Sequence, residues 1–199
     1  MKSMTKIYFD TNQMYFIRKI ADEAEGWDYG SNEWVYHKYP NDPNLIQDIR
    51  ALCYIVALQY EWDLDFFPSD ASFAELSLSN DERARATQEA WRLFVEGCKD
   101  GRILHEDAFL PESPTCGCLS LYFIDDPADR VIIREFAREH ADVLLTSDKK
   151  HILKNKRKLA KFGITVMSPS EWLNTFLGNV RYNEDAVDWL ERILFGIGS

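Results

Sequence analysis

Short unbroken apolar runs, each ending on polar or acidic residues, recur along this chain with helix-period segments between them. That alternation narrows the fold more than any other feature. Ile7 to Phe9 offers no polar residue to either face, the pattern of a strand covered on both sides in a parallel sheet. Leu64 to Ser69, Asp142 to Ser147 and Ile164 to Met167 read as further strands. Leu45, Ile49, Leu52, Cys53, Val56 and Tyr60 fall at helical spacing after Pro43. A longer helix is predicted from Asp81 to Lys99, with Ala90, Phe94 and Cys98 along one stripe and Gly101 as its stop. The apolar run of LYFID passes into a helix opened by Pro127, another helix is predicted over Lys149 to Lys161, and SPSEWLNTFL begins a last one. Strands separated by helices predict parallel βαβ units and a three-layer αβα sandwich, α/β in class.

The 199 residues suit a single domain spanning 1–199 with a substantial core. Two segments depart from the repeating unit. Residues 24–40 form an aromatic-rich insertion holding Trp27, Tyr29, Trp34, Tyr36 and Tyr39, suited to stacking bases, to binding a partner, or to pinning a long loop to the body. Residues 174–199 read as a C-terminal helical extension, packed on the domain or on a second copy.

No apolar stretch approaches a membrane span, and MKSMTK lacks a signal-peptide core, so a cytoplasmic protein with no membrane partner is expected. Its four cysteines are then expected as thiols; Cys116 and Cys118 have the spacing of half a metal site but no matching second pair. A net charge of −10 argues against a generally basic nucleic-acid-binding surface. Lys149 to Lys161 nevertheless holds seven Lys/Arg and no acid, a strip suited to local phosphate contact or to a solvated helix face.

In an open parallel sheet, ligands bind beyond the carboxyl ends of the strands. The acids of this chain fall there: Asp10 after the first strand, Glu75 after the second, Asp126 and Asp129 at the start of the helix after LYFID, and Asp148 after LLTS. Each also has a structural role open to it. Asp126 before Pro127 is a good N-cap, Asp129 holds an acid-favouring third helical position, Ser72 and Glu75 have capping-box spacing, and Ser147 or Asp148 suits the cap of the basic helix. Capping alone does not explain acids after strand upon strand. Oxygen ligands of this kind suit Mg²⁺ or Mn²⁺, which would neutralise their mutual repulsion.

The stretches IYFDTN, PSDASFAEL, DPADRVIIREFA and DVLLTSDKKHIL, with ITVMSPSEWL closing, resemble the PIN-domain family of metal-dependent nucleases, which includes the VapC-type toxins. The resemblance runs from about Lys6 to Leu173 and implies a five-stranded parallel sheet with a metal site at its carboxyl edge. It implies an endoribonuclease using one or two Mg²⁺ or Mn²⁺ ions, with Asp10, Glu75, Asp129 and Asp148 as catalytic metal ligands and Asp126 as an additional acid. Asn12, the hydroxyls of Thr146 or Ser147, and Lys149, Lys150 and Lys154 are the expected RNA contacts. The expected partners are RNA, a protein antitoxin and a second copy of the chain. Two other readings stand beside it: a non-catalytic PIN-like interaction module, and a haloacid-dehalogenase-type phosphatase with Asp10 as nucleophile. The phosphatase needs an acid two residues after its nucleophile, where this chain has Asn12.

Overall fold

The computed structural model describes residues 5–23, 33–58, 62, 64–78, 82–101 and 120–180. In chain order its elements are β1 (Thr5–Phe9), α1 (Thr11–Glu23), α2 (Glu33–Lys38), α3 (Pro43–Leu58), β2 (Leu64–Pro68), α4 (Asp70–Leu78) and α5 (Glu82–Gly101). After these come α6 (Pro127–Arg138), β3 (Val143–Leu145), a 3-10 turn at Leu153–Asn155, α7 (Lys156–Ala160), β4 (Val166–Met167) and α8 (Pro169–Val180). The four strands form one parallel sheet in the order β2-β1-β3-β4. The chain is therefore α/β with a parallel sheet, as the alternating pattern predicts.

The apolar runs lack polar alternation because both faces of the sheet are covered. Ile7 and Phe9 enter one core with Met14, Ile49, Leu52 and Trp91, while Tyr8 between them enters the other with Ile133, Phe136 and Leu159. Val143 and Leu145 likewise face the first core and Leu144 the second. Strand side chains alternate in direction, so a run buried on both faces must be apolar throughout. Phe9 meets Phe66 edge-on at 5.1 Å and Trp91 at 5.8 Å between ring centroids. The Trp91 indole N–H donates to the Met14 carbonyl at 3.0 Å, tying α5 to α1.

Several expectations need correction. The sheet has four strands among the described residues rather than five. The apolar run before α6 is a turn, closed by a hydrogen bond from the Ile124 N–H to the Leu121 carbonyl at 2.9 Å. Leu121 and Ile124 are buried while Tyr122 is 85% exposed, a three-residue spacing that suits a turn and not a pleated strand. The basic segment is not one helix. Residues 149–152 are turns, followed by the 3-10 turn and the short α7, and the Asn155 amide donates back to the His151 carbonyl at 2.8 Å where the helix was expected to run on. In α5 the buried positions are Ala84, Thr87 and Trp91; Ala90 is half-buried, and the Phe94 and Cys98 side chains lie outside the described residues.

Part of the aromatic insertion is the helix α2, whereas Trp27, Tyr29, Cys116, Cys118 and residues 181–199 lie outside the described residues. Residues 174–180 continue α8 without a break, and Phe176 stacks on Trp172 within it at 5.0 Å. Among the described residues no helix is long and apolar enough to cross a membrane.

One polar junction lies inside the sandwich. An oxygen of Glu135 on α6 accepts the Tyr8 hydroxyl at 3.1 Å, the Ser69 hydroxyl at 2.6 Å and the Ala71 N–H at 3.1 Å. Ser69 also accepts the Ser72 N–H at 3.1 Å, so Ser69 is the cap of α4, and the expected capping box of Ser72 with Glu75 does not form. A carboxylate at the start of α4 is favoured by the positive end of the helix. Burial and the Glu135 charge push the Tyr8 phenol well above its usual range, so it acts only as a donor.

Two substitutions test this assembly by urea denaturation. Phe9→Ala is expected to cost roughly 3–5 kcal/mol, the range for truncating a buried aromatic. Tyr8→Phe is expected to cost only about 1 kcal/mol, because Glu135 keeps two other donors.

Candidate metal and nuclease site

Asp10 follows the last residue of β1, and its backbone decides much of what surrounds it. Its N–H donates to the Leu145 carbonyl at 3.4 Å, its carbonyl accepts the Met14 N–H at 3.2 Å, and its carboxylate accepts the Gln13 N–H at 2.9 Å. Asp10 is therefore the N-cap of α1, with one carboxylate oxygen occupied by the helix. The other oxygen accepts the hydroxyl of Thr146, which follows β3. That hydroxyl in turn accepts the Asp148 N–H at 2.9 Å, and a hydroxyl has only one proton to give. The proton of Thr146 is thus committed to Asp10, and Asp148 is held in register with both.

Asp148 accepts the N–H groups of Lys150 at 2.7 Å and His151 at 2.9 Å, closing the turn that follows it. Asp126 accepts the Ala128 N–H at 2.8 Å as N-cap of α6, and Asp129 lies in the first turn of that helix. Glu75 projects from α4 and accepts the Thr11 hydroxyl, one residue after Asp10, at 2.7 Å. Asp10 and Asp148 therefore follow strands, Asp126 and Asp129 open α6, and Glu75 is brought to Thr11 from within α4.

The electrostatics separate these acids. Asp10 is 4% exposed, and desolvation by burial, with a smaller contribution from Asp148, raises its pKa to about 6. The hydrogen bonds from Thr146 and the backbone oppose that shift and do not cancel it. Asp129 is pushed up to about 7 by desolvation and by the charges of Asp148, Asp126 and Asp10, with only His151 acting against them. One oxygen of Asp129 is buried with no hydrogen-bond partner. Asp129 thus feels the charges of three other acids, and Asp10 that of Asp148. Among the described residues no three His, Cys, Asp or Glu side chains stand close enough to enclose an ion as they lie. Asp10, Asp148 and Asp126 have turned an oxygen toward backbone N–H groups instead. The donor set still suits a hard divalent cation: oxygen-only, crowded with like charge, and holding one unsatisfied buried oxygen.

The expected RNA contacts divide. Asn12 is exposed in the first turn of α1, and Lys150 is exposed beside Asp148. Lys149 lies 3.7 Å from Asp42, and Lys154 lies 3.0 Å from Asp125. Exposed pairs of this kind are weak enough to exchange for a phosphate. Thr146 is fully buried and serves Asp10. Ser147 is turned inward: it accepts the Gln13 amide at 3.1 Å and donates to Asp48 at 3.2 Å, while Asp48 accepts the Ser170 N–H at 3.2 Å and its hydroxyl at 2.5 Å.

Gln13, Asp48 and Ser170 were not foreseen. One signal for Asp48 was present: it stands three residues after Leu45 and four before Leu52, an acid inside an apolar stripe. His151 is half-buried with its Nδ1 buried and unpartnered, near enough for its charge to act on Asp129.

No family model matches the chain, and no match is found among curated proteins or solved structures.

The raised acids make a stability prediction with a definite sign. Below about pH 4 Asp10 and Asp129 are protonated in both folded and unfolded chains and cost nothing. Above that, the unfolded chain ionises while the fold resists, so their contribution to stability falls until about pH 6 to 7 and then stays level. Asp10→Asn should remove its share of that loss, gaining on the order of 3 kcal/mol against wild type between pH 4 and pH 8 in EDTA. Millimolar Mn²⁺ at pH 8 should raise the wild-type melting temperature and raise that of the mutant less. A mutant that melts lower than wild type at pH 8 without metal, together with a wild type indifferent to both ions, would rule out the metal site.

Proposed function

We propose that the chain is a metal-dependent endoribonuclease of the PIN-domain kind. The observation that carries this reading is the crowding of buried carboxyl groups at the carboxyl edge, where Asp10 and Asp129 are both held above the ordinary carboxylate range and Asp129 keeps an unpaired oxygen. Perturbed acids gathered at a sheet's ligand-binding edge are the physical mark of a site that needs a cation to be complete. The order of the acids along the chain, one after β1, one on α4, two opening α6 and one after β3, supports the family resemblance drawn from the motifs.

Asp10, Asp129, Asp148 and Glu75 would hold one or two Mg²⁺ or Mn²⁺ ions, with Asp126 contributing field as it caps α6. When bound, the ion supplies the Lewis acidity that lowers the pKa of water and offsets charge on the phosphodiester. The chain's own residues set the conditions for this. Thr146 fixes the Asp10 carboxylate by donating to one oxygen and holds the Asp148 backbone with its lone pair. The turn after Asp148 places the Lys150 and His151 N–H groups on that carboxylate and leaves the exposed Lys150 ammonium beside the site for a phosphate. Thr11, the first residue of α1, steadies Glu75 by donating its hydroxyl to that carboxylate.

The test is cleavage of single-stranded RNA by the purified chain. Activity should require Mg²⁺ or Mn²⁺ and disappear in EDTA. Asp10→Asn and Asp148→Asn should reduce it to background, while Thr146→Val should lower it by about 10- to 100-fold, the usual effect of losing a partner of a metal ligand. Cleavage that survives both EDTA and Asp10→Asn would refute the reading.

A further inference from the structure

Beside the acid edge, and lined by none of its acids, lies a cleft of about 850 Å³ between α1, α2 and α5. It begins at Asn12, two residues beyond Asp10. Its charged lining is entirely basic: Arg18 and Lys19 from α1, Lys38 from α2 and Arg83 from α5, with no Asp or Glu. In a chain of net charge −10 this is a local reversal of sign, and it adjoins a cluster of acids. Four aromatic rings share the wall, Tyr15 and Phe16 from α1, Trp34 from α2 and Tyr39 just after it, with His37 and Thr87 completing it.

Cations and rings are interleaved. The Lys19 ammonium lies 5.5 Å from the centre of the Trp34 ring, and the Lys38 ammonium lies 5.3 Å from that of Tyr39. Phe16 meets Tyr39 edge-on at 6.1 Å, which fixes the ring that Lys38 covers. The Arg18 guanidinium donates to the Arg83 carbonyl at 3.2 Å, joining the floor of the cleft to its far wall. Partly exposed cation–π contacts are worth about 0.5–1 kcal/mol each, and a base stacked on an aromatic about 1–3 kcal/mol. Exchange of a lysine for a base on the ring is therefore favourable, and the displaced ammonium gains a phosphate. An acidic peptide would satisfy the cations but would leave the ring faces without planar partners.

We propose that this cleft seats a single-stranded RNA segment, with bases stacked on Trp34 and Tyr39 and phosphates held by Arg18, Lys19, Lys38 and Arg83, and that Asn12 passes the strand to the acid edge. The proposal deepens the nuclease reading and rests on it for the direction of the strand. The cleft is what admits an RNA chain to a protein whose overall charge repels one.

The experiment measures binding of a fluorescein-labelled 12-nucleotide oligouridine to the full chain in EDTA, where no metal-dependent cleavage occurs, across a salt series. The double variant Lys38→Ala with Arg83→Ala changes two exposed side chains, and its cooperative melting is confirmed before binding is measured. It should bind about tenfold more weakly at 0.1 M salt, and the slope of log K against log salt should fall by about 1.4, the value for two phosphate contacts on a single strand. Trp34→Ala should weaken binding by roughly 5- to 150-fold, and an RNA duplex of equal length should bind more weakly than the single strand. The proposal is overturned by absent wild-type binding, by a slope unmoved in the double variant, or by an acidic peptide of equal charge that displaces the RNA and responds to the same variants. The two readings fail separately: groove-dependent binding without metal-dependent cleavage removes the nuclease, whereas metal-dependent cleavage with groove-independent binding removes this inference.

Discussion

A buried carboxylate at the seam between two central strands is the constraint on which the site depends. Asp10 leaves β1 and is bound by Thr146, which leaves β3, so one side-chain hydrogen bond joins the two adjacent strands just past their last ladder pair, Phe9 with Leu145. The same aspartate starts α1. Desolvation of Asp10 outweighs the hydrogen bonds it receives, which leaves a strained charge that the fold retains. An aspartate kept only to cap a helix would be better placed in water. Retaining it in the dry seam makes sense if a cation completes it.

Capping and ligation, which compete as explanations when only the sequence is in view, are compatible in space. Asp10 caps α1, Asp126 caps α6 and Asp148 closes its turn, and each uses one oxygen for the backbone. A carboxylate has about four lone-pair sites, so capping leaves others to a metal and also fixes the side chain's direction. Asp129 is the exception: it caps nothing, and one of its oxygens is buried without a partner. It is the acid whose position the helix explains least.

Most of the framework was legible because it follows from periodicity. Apolar runs identified β1, β2 and β3, and Pro43 and Pro127 marked helix starts. Helix α1 was not legible, since its buried face includes the polar Gln13, which bonds Ser147 far along the chain. The acids could be listed from sequence because strand ends are local events. Thr146 was expected near the RNA because position alone does not say that a hydroxyl is buried and turned toward Asp10. The fifth strand rested on the family resemblance alone: four apolar runs have the pattern of strands, and the run at Leu121 to Asp125 is a turn. The basic segment was read as one helix because charge marks the surface but not its curvature.

The Glu135 junction has a mechanical consequence. One carboxylate oxygen holds the start of α4 through Ser69 and Ala71, and it belongs to α6, the helix that begins with Asp126 and Asp129. The two helices that present Glu75 and Asp129 are thereby pinned to each other on the far side of the strand carrying Asp10. The spacing of the rim acids is set by a hinge pin more than one helical turn behind them, in the manner of pliers whose jaw opening is decided at the pivot. The jaws carry the acids, while the pivot, an oxygen that accepts three hydrogen bonds, bears on how far apart they open.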